Sequence, residues 1–416
     1  MSIDTATTSS AELRNALVDK IIKAFGRLGN SMRPDVERAL RTVPRELFTP
    51  GIPLEEAYAD TAIITRRSED GVNLSSISAP NMIAEMLRQS ADALGELTGR
   101  HVLEIGSGGY NAALLRELVG PTGSVTTVDI DPEVTDRAST CLDAAGYNDV
   151  TVICADAEFE VEPRRSYDLI IVTVGAWDIP PAWSSQLTDT GVLVVPLRTL
   201  GMTRSWALRK SGGHLVSSNH LLCGFVPMQG AGESTGRAVP LADGVHLWLD
   251  EDDSALRHVD GDALEGVLDT DRAESWSQVF IKAWRPVPDL DLWLAARSPG
   301  FALLVASQPA VDSGLVKPDR RFGNAAFVDG PNLCYQAGVR PNEERTFFEL
   351  GAYAHGPDAT AAATRMTDQI RAWDAAGRPS PTLHVHPART PAHALPGGLV
   401  VDKRHSRLVI TFSTPE

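Results

Sequence analysis

The chain is most constrained between His101 and Phe225, where short apolar runs alternate with stretches of helical periodicity. We predict strands at His101–Ile105, Ser124–Asp129, Val150–Cys154, Tyr167–Val172 and Val192–Pro196. We predict the helices between them at Asn111–Leu118, Pro132–Ala145 and Pro181–Leu187. A strand followed by a helix and another strand is the repeating unit of α/β proteins, so this alternation predicts a parallel sheet with crossover helices.

Further elements are expected before these strands in the chain and at the end of this region. Apolar residues at helical spacing predict a helix over residues 11–29, behind the possible caps Ser9 and Ser10, and a second helix over Pro34–Thr42. Two more strands, Arg204–Arg209 and His220–Phe225, are expected to close one edge of the sheet.

A length of 416 residues exceeds what one hydrophobic core usually organises, which predicts two domains. The small, polar run from Gln229 to Gly236 is typical of a linker, so we expect one domain over residues 1–230 and an α+β domain over residues 238–416. In the second domain we predict strands at Val245–Leu249, Val279–Trp284, Phe301–Ala306, Thr346–Leu350, Leu383–His386 and Arg407–Phe412, and a helix at Ala359–Ala375.

Charge and composition exclude several classes of protein. A formal net charge of -16 has the wrong sign for binding nucleic acid, and no run of apolar residues is long enough to span a membrane. The start of the chain, Met1 to Ser10, is polar, so we expect a cytoplasmic protein. Four dispersed cysteines predict reduced, mostly buried thiols. The spacing of His384, His386, His393 and His405 matches no familiar ligand set, and we expect no metal.

A glycine-rich turn after the first predicted strand of the sheet indicates a cofactor site. Gly106 and Gly108 allow a ligand to approach the backbone at the start of a helix, and Asp129 ends the next strand, where a carboxylate can accept ribose hydroxyls. Asp156 ends the third strand, at the edge of the sheet, where an adenine amine could be bound. The spacing of Asp129 from Gly106, taken alone, fits NAD equally well. Glu104 before the turn favours a ligand with ammonium and sulfonium charge over a pyrophosphate.

Motifs on both sides of this turn resemble those of the protein-L-isoaspartate O-methyltransferase family over roughly residues 10 to 230. The motifs are Val43-Pro44-Arg45-Glu46-Leu47-Phe48, Ala57-Tyr58-Ala59-Asp60, Ser76-Ile77-Ser78-Ala79-Pro80, Leu103 to Tyr110, Asp156-Ala157, Tyr167 to Thr173 and Phe225-Val226-Pro227-Met228. The turn is one residue shorter between its glycines than in the family. The resemblance implies a Rossmann-like, S-adenosylmethionine-dependent methyltransferase as the catalytic domain.

The resemblance also implies which residues line the S-adenosylmethionine site. They are Ser75, Ser76, Ile77, Ser78, Glu104, Gly106, Gly108, Asp129, Ile130, Asp156, Ala157 and Gln229. The Ser78 hydroxyl is expected nearest the substrate carboxylate, as the catalytic group. Ser78 and Asp129 also have a purely structural interpretation. Ser78 could cap a helix that begins near Pro80, and Asp129 could cap the helix at Pro132.

The run from Gly106 to Leu115 and the long C-terminal extension resemble a subgroup associated with lanthipeptide biosynthesis, the FxLD-system methyltransferases. That subgroup implies esterification of an ordinary Asp side chain in a modified peptide, with succinimide and then isoaspartate as products. Repair of isoaspartate in damaged proteins and a catalytically weak peptide-binding scaffold remain as alternatives.

A carboxylate acceptor is already ionised at neutral pH, so methyl transfer to it needs orientation more than a general base. The second domain contains Trp248, Trp276, Trp284, Trp293 and Trp373. These aromatic side chains could anchor a peptide or fill the core of the domain.

Overall fold

The computed structural model describes residues 9–234, 236–250, 259–283, 287–298 and 300–412. The polar start up to Thr8, together with Thr235 and Trp284, lies outside these ranges. No helix within them is long and apolar enough to cross a membrane. The chain forms two compact units: one runs up to Leu197 and includes Thr203–Glu233, and the other comprises Arg198–Met202 and the residues from Ser234 onward.

The first unit opens with helices that precede its sheet. They are α1 (Ser10–Arg27), α2 (Pro34–Thr42), α3 (Leu54–Ala57) and α4 (Pro80–Leu94). Ser9 caps α1 in a capping box with Glu12, so the predicted helix begins behind the first of the two expected caps. Between α3 and α4 lies an antiparallel hairpin, β1 (Ile63–Arg67) and β2 (Asn73–Ile77), with irregular register at Arg66.

The central sheet of the first unit confirms the predicted α/β alternation. Its strands are β3 (His101–Ile105), β4 (Ser124–Asp129), β5 (Thr151–Cys154), β6 (Tyr167–Val172), β7 (Leu187–Thr199), β8 (Met202–Ser211) and β9 (His214–Leu222). The helices between them are α5 (Tyr110–Val119), α6 (Pro132–Ala144) and α7 (Pro181–Ser185). The bounds predicted for the strand His220–Phe225 are wrong. The strand β9 begins at His214 and ends at Leu222, and Phe225 lies in the segment that follows.

Strand order in this sheet is β9-β8-β7-β6-β3-β4-β5, with β3 paired in parallel to both β4 and β6. The chain therefore builds outward from β3 in one direction and then, through β6, in the other. This Rossmann-like arrangement leaves a crevice at the carboxyl ends of β3 and β6, where ligands bind in open α/β sheets. A core of buried aliphatic residues beneath α1, α2, α4 and α5 holds the crevice rigid; it includes Ile21, Leu87, Leu114 and Ile171.

The second unit is α+β, as predicted. One antiparallel sheet has the order β10-β11-β13-β14-β15-β17-β12, with β16 beside β17. Its strands are β10 (Gly236–Ala242), β11 (Val245–Asp250), β12 (Ala273–Lys282), β13 (Phe301–Ala306), β14 (Asn324–Asp329), β15 (Asn332–Gln336), β16 (Arg340–Pro341) and β17 (Phe347–His355). The remaining elements are α8 (Asp289–Arg297), α9 (Gln308–Asp312), α10 (Ala359–Ala375), β18 (Pro381–Pro387), β19 (Leu399–Asp402) and β20 (Ser406–Phe412).

The turn between β7 and β8 belongs to the second unit, which the sequence did not indicate. Asp250, only 2% exposed at the end of β11, accepts a hydrogen bond from the Gly201 backbone N–H at 2.7 Å. Its other carboxylate oxygen lies 2.9 Å from Nε of Arg198. Residues 198–202 are thus tied to β11 by a buried carboxylate.

The described tryptophans of the second unit differ in burial. Trp293 and Trp373 are buried, whereas Trp248 and Trp276 are half-buried. The cysteines differ from expectation in one respect: Cys141 and Cys334 are buried, but Cys154 is exposed.

Candidate functional site

The glycine turn lies at the crevice between β3 and β6. The Gly106 N–H donates to the Val128 carbonyl at 2.8 Å, and the Thr173 hydroxyl, just beyond β6, donates to the Gly106 carbonyl at 2.6 Å. The turn is therefore fixed from both neighbouring strands.

Two glycines in the turn are required by the space around them. Gly106 has φ +98°, and a Cβ there would lie 2.8 Å from Oγ1 of Thr173. A Cβ on Gly108 would lie 2.7 Å from Cδ1 of Ile77, at the end of β2. The glycine turn and the serine-rich segment of β2 are consequently in direct contact, which a side chain at either position would prevent.

Glu104 is a fully buried acid directly before the turn. Its carboxylate accepts hydrogen bonds from the Thr127 hydroxyl at 2.6 Å and from Nδ2 of Asn111 at 2.8 Å. Burial raises the pKa of Glu104 to about 7, because removal from water disfavours the charged form more than the two donors favour it. Asn111, from the first turn of α5, thus supports the acid.

Asp129 ends β4 with its carboxylate turned toward the same turn. One oxygen accepts the Ser107 N–H at 3.0 Å, and the other accepts the Asp131 N–H at 3.0 Å. Burial raises the pKa of Asp129 above its usual value. The interpretation of Asp129 as a helix cap was wrong, because Asp131 is the N-cap of α6 and accepts the Glu133 N–H.

Asp156 follows β5 and contacts the segment that the sequence predicted to be a linker. Its Oδ2 accepts the Ala231 N–H at 3.0 Å. Gly230, at φ +81°, approaches so closely that a Cβ would lie 2.7 Å from Asp156 Oδ2 and 2.6 Å from Ile130 Cδ1. Nε2 of Gln229 donates to the Leu74 carbonyl at 3.1 Å. Residues 229–231 are therefore packed against the site and do not form a free connection.

The hairpin β1–β2 supplies the serines. The Thr65 hydroxyl donates to Oγ of Ser75 at 3.0 Å, and Arg66 forms an ion pair with Asp131. Ser78 is half-buried, between the end of β2 and α4. The interpretation of Ser78 as a helix cap was wrong, since Ala79 is the N-cap of α4 and no side chain caps it.

Two cavities open beside the glycine turn, and both are bordered by Leu74, Gly106, Asp129 and Val174. The first, of about 580 Å³ including space open to solvent, is lined by Ser75, Ser76, Ile77, Ser78, Glu104 and Gly108 among others. The second, of about 400 Å³, is lined by Ile130, Asp156, Ala157 and Gln229 among others. All of the residues predicted for the cofactor site thus border one cavity or both.

Some lining residues were missed from the sequence. Thr173 and Val174 line the first cavity directly after β6, and the rule that ligands bind at the carboxyl ends of parallel strands could have found them. Ser107 was also missed; its Oγ is buried and has no hydrogen-bond partner among the described residues. Phe225 and Val226 close the cavity from a segment without regular structure, for which no local signal exists.

This donor and acceptor set suits a nucleoside that carries positive charge. Asp129 and Asp156 each use one backbone N–H per oxygen and keep lone pairs for further donors. The buried Glu104 favours a cation, and the unpartnered Ser107 hydroxyl offers a further polar contact. The residues fit S-adenosylmethionine.

Comparison with known proteins identifies the family. The family model described as protein-L-isoaspartate(D-aspartate) O-methyltransferase matches residues 14–233, just over half of the chain. The chain belongs to this family. It is an S-adenosylmethionine-dependent protein carboxyl methyltransferase, and the NAD-linked interpretation is wrong.

The similarity to members of the protein-L-isoaspartate O-methyltransferase family extends over nearly their whole length but over half of this chain. The protein-L-isoaspartate O-methyltransferase of Ignicoccus hospitalis is 39% identical over 218 residues, which are 52% of this chain and 94% of that protein. The Methanococcoides burtonii protein of the same name is 37% identical over 211 residues, which are 50% of this chain and 98% of that protein. The residues after 233 lie outside the family match.

Solved structures of the same name are also similar. One protein-L-isoaspartate O-methyltransferase covers 96% of this chain, and 99% of its own chain is matched, with a TM-score of 0.49 and 20% identity. A Plasmodium falciparum protein described as a putative member, solved with S-adenosyl-L-homocysteine, covers 52% of this chain, and 98% of its own chain is matched, with a TM-score of 0.44 and 17% identity.

Proposed function

We propose that this enzyme methylates an Asp side chain of a ribosomally synthesised, modified peptide of the lanthipeptide type. The observation that carries the peptide carboxylate assignment is the cavity between the glycine turn and the serine segment Ser75–Ser78, which joins a cofactor-type site to a polar, half-buried hydroxyl. The lanthipeptide assignment rests on the resemblance of the run from Gly106 to Leu115 and on the additional unit after residue 233.

The cofactor is held by acids at the ends of successive strands. In this proposal Asp129 accepts the ribose hydroxyls, Asp156 accepts the adenine amine, and Glu104 balances the positive charge of the amino acid portion. The neighbouring backbone and side chains complete the site, namely those of Ser75, Ser76, Ile77, Gly106, Gly108, Ile130, Ala157 and Gln229. When bound, S-adenosylmethionine supplies a methyl group on a positively charged sulfur.

Ser78 orients the acceptor. Its hydroxyl donates a hydrogen bond to one carboxylate oxygen of the substrate, which leaves the other oxygen facing the cofactor portion of the cavity. An aspartate with an ordinary pKa of about 3.9 is ionised at neutral pH, so no side chain has to remove a proton. Orientation within a partly closed cavity can contribute several kcal/mol to lowering the barrier.

The ester then reacts further without a catalytic side chain of the enzyme. The amide nitrogen of the next residue attacks the ester carbonyl, methanol leaves, and a five-membered succinimide forms. Water opens this ring, mainly to isoaspartate. A glycine after the aspartate would favour closure, because it has more backbone freedom.

Repair of isoaspartate in damaged proteins is the second candidate, and the names of the similar archaeal proteins favour it. The two functions differ in the acceptor. Incubation with an isoaspartyl peptide and with a cyclised peptide containing ordinary Asp, followed by mass spectrometry, distinguishes them. A mass gain of one methyl group on the cyclised peptide, or the loss of one water that marks the succinimide formed from the ester, supports our proposal, and reaction of the isoaspartyl peptide alone overturns it in favour of repair.

The role of Ser78 is tested by a pair of variants. We expect Ser78→Ala to bind S-adenosylmethionine as the wild type does and to methylate at least about tenfold more slowly, because one oriented hydrogen bond to a charged group is worth about 1.5–3 kcal/mol. We expect Asp129→Ala to lose affinity for the cofactor by a similar factor. Calorimetry measures the affinity, and mass spectrometry measures the rate.

Ser139→Ala is the matched control, because Ser139 is exposed on α6 and its hydroxyl makes no hydrogen bond within the described residues that would be lost. It should leave both quantities unchanged. Wild-type turnover in Ser78→Ala, or wild-type affinity in Asp129→Ala, would remove that residue from the proposed mechanism.

A further inference from the structure

A cleft lies within the second unit, and it shares no lining residue with the methyl-transfer site. It is formed where α8 ends, where the turn at Gly300 leads into β13, and where β14 ends at Asp329. Its other wall is the face of α10 that carries Arg365, Asp368 and Gln369. The cleft has a volume of about 630 Å³, within the roughly 300–1,000 Å³ typical of ligand pockets.

The floor of the cleft is built by a close backbone approach. Gly300 has φ +71°, and a Cβ there would lie 2.1 Å from the Val328 carbonyl oxygen. The Gly300 carbonyl accepts the Val328 N–H at 2.9 Å, which fixes the turn onto β14. The Gly300 turn is therefore packed directly against the end of β14.

Arg297, the last residue of α8, is held against aromatic rings at this cleft. Its guanidinium carbon lies 3.2 Å from the centre of the Trp293 ring and 5.3 Å from the centre of the Phe412 ring. Nε1 of Trp293 is itself fixed by a 3.1 Å hydrogen bond to the Gln369 carbonyl. An arginine stacked in this way has lost much of its side-chain freedom before a ligand arrives, which lowers the entropic cost of binding.

The positive charge of Arg297 is not neutralised by the acids that line the cleft, because these acids are paired with other arginines. Nη2 of Arg365 lies 2.6 Å from Asp329, and Nη2 of Arg371 lies 2.5 Å from Asp368, so both acids of the cleft already have cationic partners. Arg297 has no carboxylate partner among the described residues, and partial burial lowers its pKa. The cleft thus presents one stacked guanidinium whose donors remain available to a ligand.

We propose that this cleft binds a carboxylate side chain of the peptide substrate at a distance in sequence from the methylated residue. A guanidinium matches a carboxylate with two parallel hydrogen bonds. A single carboxylate matches the single unpaired arginine among the described residues that line the cleft, whereas a polyanion would need further cations and Arg365 is already paired with Asp329. A volume of about 630 Å³ holds a carboxylate side chain and the residues next to it. The choice of a peptide rests on the proposed function.

The test uses the full chain without cofactor and two fluorescein-labelled nonapeptides of Gly, Ser and Phe, one with a central Glu and one with Gln in its place. At low ionic strength we expect wild-type protein to bind the Glu peptide about tenfold more tightly, measured by fluorescence anisotropy. Arg297→Gln should abolish this preference. Arg389→Gln, which removes the same charge from an exposed position of the second unit, should retain it.

Gln369→Glu provides a second variant that leaves the stacked arginine in place. It adds a negative charge to the cleft and should also reduce the preference, so the test does not depend on Arg297→Gln being folded, which a circular dichroism melt checks. Equal binding of both peptides by the wild type, or a preference that survives either cleft variant, overturns the proposal. A chain that keeps the Arg297-dependent preference but methylates no peptide would overturn the proposed function and leave this cleft assignment standing.

Discussion

The buried carboxylate of Glu104 makes the stability of the first unit depend on pH. In an unfolded chain this acid titrates near its ordinary pKa of 4.5, and burial raises the pKa in the folded protein to about 7. Between those values the folded state holds a proton that the unfolded state releases. Stability therefore falls as pH rises through this window, and the loss is complete above about pH 7.

Glu104→Gln tests this coupling. At pH 8 we expect the variant to have a free energy of unfolding about 3 kcal/mol higher than the wild type, and at about pH 4.5 the two should be nearly equal. Wild-type affinity for S-adenosylmethionine should fall about tenfold from pH 8 to pH 6, as Glu104 gains its proton, and the variant should bind weakly at both. Urea denaturation and calorimetry provide the two measurements. A variant that binds the cofactor like the wild type at pH 8 would contradict the role given to this charge.

The sequence could predict Glu104, Asp129 and Asp156 because each stands at the end of an apolar strand, where chain order alone determines which edge of the sheet it reaches. It could not predict how Glu104 is supported, since Thr127 and Asn111 reach it from different elements. Nor could it separate Asp129 from Asp131 as the cap of α6, because both precede Pro132 and only backbone direction decides between them.

Among elements, the parallel strands β3, β4 and β6 were predicted with the bounds that the structure has, because each is a short run of mostly buried residues. The hairpin β1–β2 was not predicted, since Arg66 and Arg67 interrupt its apolar pattern and its register shifts at Arg66. Of helix α4 only a start near Pro80 was anticipated, although its buried Ile83, Leu87 and Ala91 have helical spacing. The segment from Gln229 was interpreted as a linker because small residues are equally suited to free connections and to close packing.

Close packing at Gly230 can be tested directly. In Gly230→Ala the new Cβ would meet Asp156 and Ile130 in a backbone conformation that costs a non-glycine residue about 1–3 kcal/mol. We expect cofactor affinity to fall about tenfold, because both displaced side chains line the second cavity.

Gly224→Ala is the matched change in the same stretch of chain. Its Cβ would have open space around it, and its backbone is not left-handed, so affinity should be unchanged in calorimetry. If the two alanine variants bind the cofactor equally well, the segment after Pro227 does not shape the site.

For the molecule as a whole, Asp250 determines whether residues 198–202 remain attached to the second unit. Asp250→Ala leaves Arg198 without its carboxylate and the Gly201 N–H without its acceptor, and breaking a buried pair in this way costs about 3–5 kcal/mol. Asp250→Asn keeps an acceptor for Gly201 and should cost less. Urea denaturation followed by tryptophan fluorescence measures both losses, and Asp243→Ala at the exposed turn between β10 and β11 should show none. A loss in Asp250→Ala no larger than in Asp243→Ala would show that the carboxylate does not hold the turn.

The same carboxylate has a consequence for how the protein is made. Gly201 leaves the ribosome 49 residues before Asp250 does, so its backbone N–H must wait for its acceptor while β10 and β11 are still being added. At ordinary rates of translation this delay lasts roughly 2 to 10 seconds. During that interval the nascent chain carries a bare loop between two neighbouring strands, a window in which chaperones or proteases could reach it.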